Sequence, residues 1–102
     1  MSKANFLPGN IGLAPMAGVT DYPFRKLCLQ HGAYFAFTEM ISAKSVIINV
    51  KINEIYFPRQ DEKDRVGVQL FGSDYAELSE AAAIVQEKGL WVDLNAGCPV
   101  SK

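Results

Sequence analysis

The sequence predicts an α/β fold built on a sheet of parallel strands. Four short runs of β-branched, aromatic and small residues alternate with amphipathic segments, in the order β-α-β-α-β-α-β. The runs end in proline, glycine or polar residues, and residues that can cap a helix follow most of them. Alternation of this kind favours right-handed crossovers between parallel strands, in either a closed barrel or an open doubly wound sheet.

The first βα unit comprises a strand at residues 11–14 and the helix that follows it. The strand ends at Pro15, because proline cannot donate a hydrogen bond within a central strand. Thr20 or Asp21 can cap the helix, and Pro23 fits its first turn. The turn between strand and helix lacks the glycine-rich dinucleotide fingerprint, which argues against the open dinucleotide-binding fold. The predicted apolar face of the helix consists of Phe24, Leu27 and Cys28.

The second unit begins with a strand at residues 33–38, which ends at Glu39. Ser42 can cap a helical stretch that runs to about residue 50. Residues 51–65 are charged and contain a proline, so we expect irregular surface structure there, with 61–65 as a solvated loop.

The third and fourth strands enclose the clearest helix in the sequence. A strand at residues 66–71 precedes Asp74, and Glu77 three residues later suits the first turn of a helix. We expect this helix to cover about residues 75–88, and the fourth strand to cover 90–94. The residues expected to pack the helix against the sheet are Leu78, Ala82 and Val85.

Composition and charge exclude several classes of protein. The 102 residues include 10 basic and 11 acidic side chains, so this stretch is not a strongly basic nucleic-acid-binding arm. Two widely spaced cysteines and one histidine argue against a disulfide scaffold and against a metal site. No run approaches the roughly 18 apolar residues of a membrane span. The cytoplasm is the expected compartment, with both thiols free.

Unusual residues follow the predicted strands at their carboxyl ends, where parallel α/β folds place their active sites. They are Pro15, Met16 and Ala17 after the first strand, Glu39 after the second, Gln69 near the end of the third, and Asn95 to Pro99 after the fourth. The presence of such residues at four strand ends indicates an active site more strongly than any single motif does. We therefore expect these residues to meet on one rim of the sheet.

Physical chemistry alone leaves more than one interpretation for these residues. Cys98, held between Gly97 and Pro99, suits proton transfer or nucleophilic attack, but a small thiol in a turn also simply packs. Gln69 either binds a polar heterocycle or fills a layer of a barrel with a hydrogen bond. Glu39 is a base, a ligand anchor or a salt-bridge partner, and a structural role is favoured.

The motifs resemble those of the tRNA-dihydrouridine synthase family. The similarity covers residues 14–21 and 23–25, the strand ends at 38–43 and 68–73, and the loop at 93–99. It therefore runs through nearly the whole chain, with a motif in the family's order at every strand end. The loop that contains Cys98 distinguishes this set from other FMN-binding barrels.

The resemblance implies a (β/α)8 TIM barrel that uses FMN, with NADPH as electron donor, to reduce uridine in tRNA to dihydrouridine. Cys98 would be the general acid that protonates C5 of the uracil, and Asn95 would position the flavin or the target base. The target base must leave its stack to reach the flavin. The residues implied to bind the flavin are Pro15, Met16, Ala17 and Gln69.

The resemblance also implies that residues 1–102 are the N-terminal part of the barrel, with about four βα units, because a complete barrel needs ~250 residues. The FMN phosphate site and a helical tRNA-binding domain are then expected outside this segment, which alone is expected to be inactive. Two alternatives remain at this point. One is another FMN-dependent barrel, similar to dihydroorotate dehydrogenase or old yellow enzyme, and the other is a non-catalytic βα module.

Overall fold

The computed structural model describes residues 11–96, and this part of the chain forms a five-stranded sheet with helices packed against it. In chain order the elements are β1 (Gly12–Leu13), α1 (Tyr22–Gln30), β2 (Phe35–Phe37), β3 (Ile41–Ser42), α2 (Ala43–Ile47), a 3-10 helix (Lys51–Ile55), β4 (Val66–Phe71), α3 (Tyr75–Glu87) and β5 (Val92–Leu94). All the strand pairings between these elements are parallel.

The predicted strands lie side by side in chain order, with β4 at the centre. β1 pairs with β2, and both β2 and the short β3 pair with β4. β5 pairs with the opposite edge of β4. The predicted parallel α/β fold is therefore confirmed, and its arrangement is that of the first βα units of a (β/α)8 barrel.

The helices begin where their capping residues predict. The Asp21 carboxylate accepts a hydrogen bond from the backbone N–H of Phe24 at 3.1 Å, and the Asp74 carboxylate accepts one from Ala76 at 2.9 Å. Ser42 caps α2, as expected, but α2 ends at Ile47, a few residues before the predicted end at about residue 50. The reason is Asn49, whose backbone adopts the left-handed conformation with φ of 58° and turns the chain away.

The hydrophobic core lies between β4 and the helices α2 and α3. Val68 and Leu70 of β4 are fully buried, as are Ala81 and Val85 of α3. Leu78 and Ala82 are partly buried against the same cluster, which confirms the predicted packing of α3.

Two expectations about buried residues are wrong. Leu27 does not face the core, since 53% of its surface is exposed, and α1 instead buries Arg25. The stretch 61–65 is not wholly a solvated loop, because Glu62 is buried and forms an ion pair with Arg25. The guanidinium group can be buried on the inner side of α1 because Glu62 and the Thr20 carbonyl satisfy its N–H groups.

The side of the sheet opposite the core carries different side chains. Gly67 and Gln69 alternate with the buried valines and leucine of β4, so they face this second side. The rings of Phe37 and Trp91 pack edge to face there, with centroids 5.7 Å apart. They close over Gly67, where an added Cβ would lie 3.0 Å from Trp91 and 3.1 Å from Phe37. The aromatic layer thus covers the start of β4, and polar residues lie toward its end.

Candidate active site

Polar side chains of two neighbouring strands meet near the carboxyl end of β4. The Gln69 side-chain NH₂ donates to the Asp93 carboxylate at 2.7 Å, and its carbonyl oxygen accepts from the Asn95 side-chain NH₂ at 3.3 Å. Gln69 is buried, with 7% of its surface exposed. Because a side-chain amide has two donor and two acceptor positions, the contacts with Asp93 and Asn95 use one N–H and one lone pair of the Gln69 amide.

Asp93, which was not predicted as a site residue, completes this network. It lies directly beside Gln69 in the register of β4 and β5. The Asp93 carboxylate has only hydrogen-bond acceptors, so the Gln69 side chain must turn its NH₂ group toward Asp93. The Gln69 oxygen then points toward Asn95. The available signal was an acidic residue inside a short apolar strand, next to an amide on the neighbouring strand.

Asn95 is held at the end of β5 by further contacts. Its backbone N–H donates to the Leu70 carbonyl at 2.9 Å and extends the ladder between β4 and β5. Its side-chain NH₂ also lies 3.6 Å from the sulfur of Met40. The Asn95 amide is therefore fixed by the backbone of β4 and by a side chain that follows β2.

A β-bulge separates β2 from β3. Phe37 pairs with Gly67, and Ile41 pairs with Leu70. Residues 38–40 therefore face only 68–69 on β4, so the outer strand carries one extra residue. The bulge interrupts the backbone hydrogen bonds between the strands, and the Thr38 hydroxyl replaces one of them. It accepts the backbone N–H of Gln69 at 3.1 Å. It also donates to the carbonyl of Glu39 at 2.7 Å.

The Thr38 hydroxyl gives a direct test of the bulge. We expect Thr38→Val, which keeps the shape but removes the hydroxyl, to lower the free energy of unfolding by about 1–3 kcal/mol, because the buried Gln69 N–H loses its acceptor. Hydrogen exchange of the Gln69 amide should accelerate. The control is Thr38→Ser, which keeps the hydroxyl and loses one methyl group, and it should leave that exchange slow. Equal Gln69 exchange in the two variants would contradict the assignment.

The loop after β1 folds back on itself as a tight turn. The Met16 carbonyl accepts from the backbone N–H groups of Val19 and Thr20, both at 3.0 Å. The fully buried Thr20 hydroxyl accepts from the Met16 N–H at 3.2 Å. Gly18 lies at the tip of this turn in the left-handed conformation, with φ of 76°, and its N–H donates to the Glu39 carboxylate at 2.7 Å.

The predicted site residues occupy two groups that the bulge connects. Glu39 contacts the loop that carries Pro15, Met16 and Ala17, whereas Met40 contacts Asn95 of the amide network. The side chain of Met16 is 40% exposed. Cys98 lies outside the described residues, as do Gly97 and Pro99, so its role stays a prediction.

Two further findings concern metal ions and membranes. Among residues 11–96, no group of three or more histidine, cysteine, aspartate or glutamate side chains is placed to hold a metal ion. Within the same range, the structure contains no helix of the length and apolar character that crossing a membrane requires.

Comparison with known proteins gives a consistent set of relatives. The sequence model of the family described as "Dihydrouridine synthase (Dus)" matches residues 12–102. The chain is 40% identical over 97 residues to "tRNA-dihydrouridine synthase B" of Vibrio cholerae serotype O1. The aligned region covers 94% of this chain and 30% of that protein. The chain is 38% identical over 101 residues to "Probable tRNA-dihydrouridine synthase" of Aquifex aeolicus, covering 96% of this chain and 31% of that protein. The chain thus spans about 30% of the length of these curated relatives.

Proposed function

Because the chain belongs to the dihydrouridine synthase family, we propose that it forms part of the active site of an enzyme that reduces uridine in tRNA to dihydrouridine. The observation that carries this proposal is the amide network of Gln69 and Asn95 at the carboxyl ends of β4 and β5. In parallel α/β folds this end of the sheet is where ligands bind. Residues 1–102 would then be the N-terminal part of a TIM-barrel catalytic domain.

The described residues suit FMN as the cofactor. The isoalloxazine ring is flat and apolar on its faces but has hydrogen-bond donors and acceptors along one edge. The buried Gln69 amide offers both a donor and an acceptor for such an edge, and its orientation is held by Asp93. The half-exposed Met16 offers a soft apolar surface for a ring face. The loop residues proposed to line the flavin are Pro15, Met16 and Ala17.

The chemistry divides between the cofactor and the protein. Bound FMN, once reduced by NADPH, would supply the hydride that C6 of the uracil receives. Asn95 orients the flavin or the target base through its side-chain amide, and Cys98 holds the proton that C5 receives. A thiol suits this task because it can donate a proton near neutral pH. The tRNA surface would lie mostly outside this segment, and the enzyme would act in the cytoplasm.

The proposal predicts a specific product from the full-length enzyme that contains this chain. Purified enzyme should show the visible absorbance of bound flavin, and with NADPH it should convert uridine in an unmodified tRNA transcript to dihydrouridine. Mass spectrometry of the digested tRNA measures this conversion as a gain of two hydrogen atoms on a uridine. Flavin-loaded enzyme that oxidises dihydroorotate and leaves tRNA unchanged would favour another FMN-dependent barrel. Enzyme without flavin or product would contradict the proposal.

A further inference from the structure

The carboxylate of Glu39 joins two parts of the rim that are distant in sequence. Its oxygen accepts the N–H of Gly18 at 2.7 Å, across 21 positions of the chain. The two ion pairs found in the described part of the chain involve other residues, namely Arg25 with Glu62 and Lys26 with Asp61. The salt-bridge role considered for Glu39 is therefore not seen within residues 11–96. A carboxylate that accepts a backbone N–H makes a bond about twice as strong as a neutral pair does.

The contact holds the tip of the loop after β1. The base of this loop is closed by Thr20, whose hydroxyl and backbone N–H both bond to Met16. Gly18 at the tip adopts the left-handed conformation, which glycine reaches without a steric penalty but leaves as easily. The bond to Glu39 therefore restrains the backbone position of the turn that has the fewest steric restrictions of its own.

The β-bulge places Glu39 where it can make this contact. In an uninterrupted strand, residue 39 would stand on the same side of the sheet as Phe37, above the aromatic layer. The extra residue in 38–40 breaks that alternation and redirects the side chains that follow Thr38. Glu39 then reaches the neighbouring loop, while Met40 reaches Asn95.

We infer that Glu39 is a positioning residue that keeps the loop after β1 in the shape that binds the flavin. This inference rests on the proposed function, since it assigns the loop residues Pro15, Met16 and Ala17 to the flavin ring. Glu39 acts through Gly18 and takes no part in the proton transfer. Its charge strengthens one hydrogen bond, and a neutral oxygen in the same place preserves about half of the effect.

The test compares three variants of the full-length enzyme in which a glutamate is replaced. Glu39→Ala should raise the dissociation constant for FMN about 10-fold, because the loop loses its anchor before the flavin binds. Glu39→Gln retains an oxygen that can accept the Gly18 N–H, and its dissociation constant should stay within about threefold of the original. Glu80→Ala removes an exposed carboxylate on α3 and serves as the matched control, with no change expected.

Two measurements accompany the titration of FMN by flavin fluorescence. Hydrogen exchange of the Gly18 amide should accelerate in Glu39→Ala and stay slow in Glu39→Gln, with FMN absent. Turnover by flavin-saturated Glu39→Gln should remain near that of the unaltered enzyme. A large loss of turnover in that variant with FMN affinity retained would show a direct chemical role and overturn the inference.

The outcomes separate this inference from the proposed function. If the unaltered enzyme binds FMN and makes dihydrouridine but Glu39→Ala binds FMN equally well, the positioning role is wrong and the function stands. If the unaltered enzyme binds no FMN, both are wrong. Loss of FMN affinity in Glu39→Ala together with its rescue in Glu39→Gln supports the inference.

Discussion

Glu62→Ala should lower the free energy of unfolding by about 3–5 kcal/mol, because it leaves the Arg25 guanidinium buried without its charged partner. Arg25 and Glu62 are almost completely buried, and two N–H groups of the guanidinium donate to the two carboxylate oxygens at 3.1 and 2.5 Å. The same carboxylate accepts the backbone N–H of Arg59. Chemical denaturation of the full-length protein measures the change.

The neighbouring residue provides a matched control. Asp61 carries the same charge, but its pair with Lys26 spans 3.8 Å and both side chains are about half exposed. Asp61→Ala should therefore cost no more than about 1 kcal/mol, since exposed pairs contribute little. Asp61 also accepts the Tyr22 hydroxyl, a further exposed contact. Equal losses for Glu62→Ala and Asp61→Ala would show that burial adds nothing to the cost of leaving a charge without its partner.

A double variant tests the explanation itself. Replacing both partners, with Arg25→Met and Glu62→Leu, removes the charges together and leaves apolar side chains of similar volume. The loss should be smaller than that of Glu62→Ala, because the main cost of the single variant is an uncompensated buried charge.

Cys98→Ala should slow the chemical step of the full-length enzyme roughly 10²–10⁴-fold while leaving bound flavin in place. The reason is that the proposed proton donor to C5 is lost, whereas the proposed flavin contacts come from other residues, Gln69 among them. Single-turnover oxidation of the reduced flavin by tRNA measures this step without interference from product release.

The other cysteine is the control for this prediction. Cys28 is a partly buried residue of α1 with a free thiol. Cys28→Ala should lower stability and leave the single-turnover rate almost unchanged. A near-normal rate in Cys98→Ala would falsify the proton-donor role and leave the loop with a structural task.

Four of the five strands and the starts of the three α-helices could be predicted from the sequence because local signals determine them. Residues 66–71 form β4 as predicted, since a buried strand between a charged segment and a glycine has an unambiguous pattern. Asp21, Ser42 and Asp74 cap their helices through hydrogen bonds to residues at most three positions away. Because these interactions join residues that are close in sequence, a short stretch of sequence is enough to predict them.

The features that were missed depend on partners far along the chain. Glu62 looked solvated because it lies in a charged run, and its partner Arg25 is 37 positions earlier. Asp93 became part of the site only through its pairing with Gln69 on another strand. The bulge at 38–40 escaped detection because it is defined by the register with β4, which a single strand does not reveal.

The bulge also makes this stretch intolerant of changes in length. Phe37 lies opposite Gly67 on the aromatic side of the sheet, whereas Ile41 lies opposite Leu70 in the core beneath the helices. Residues four apart in a regular strand share a side, so the extra residue is what lets these two occupy opposite sides. Deleting a single codon between Thr38 and Met40 would restore regular alternation with Ile41 still opposite Leu70, but it would remove the bulge on which the contacts of Glu39 and Met40 depend. The number of residues in this segment is therefore constrained, as are the side chains of Thr38 and Glu39 that make its contacts.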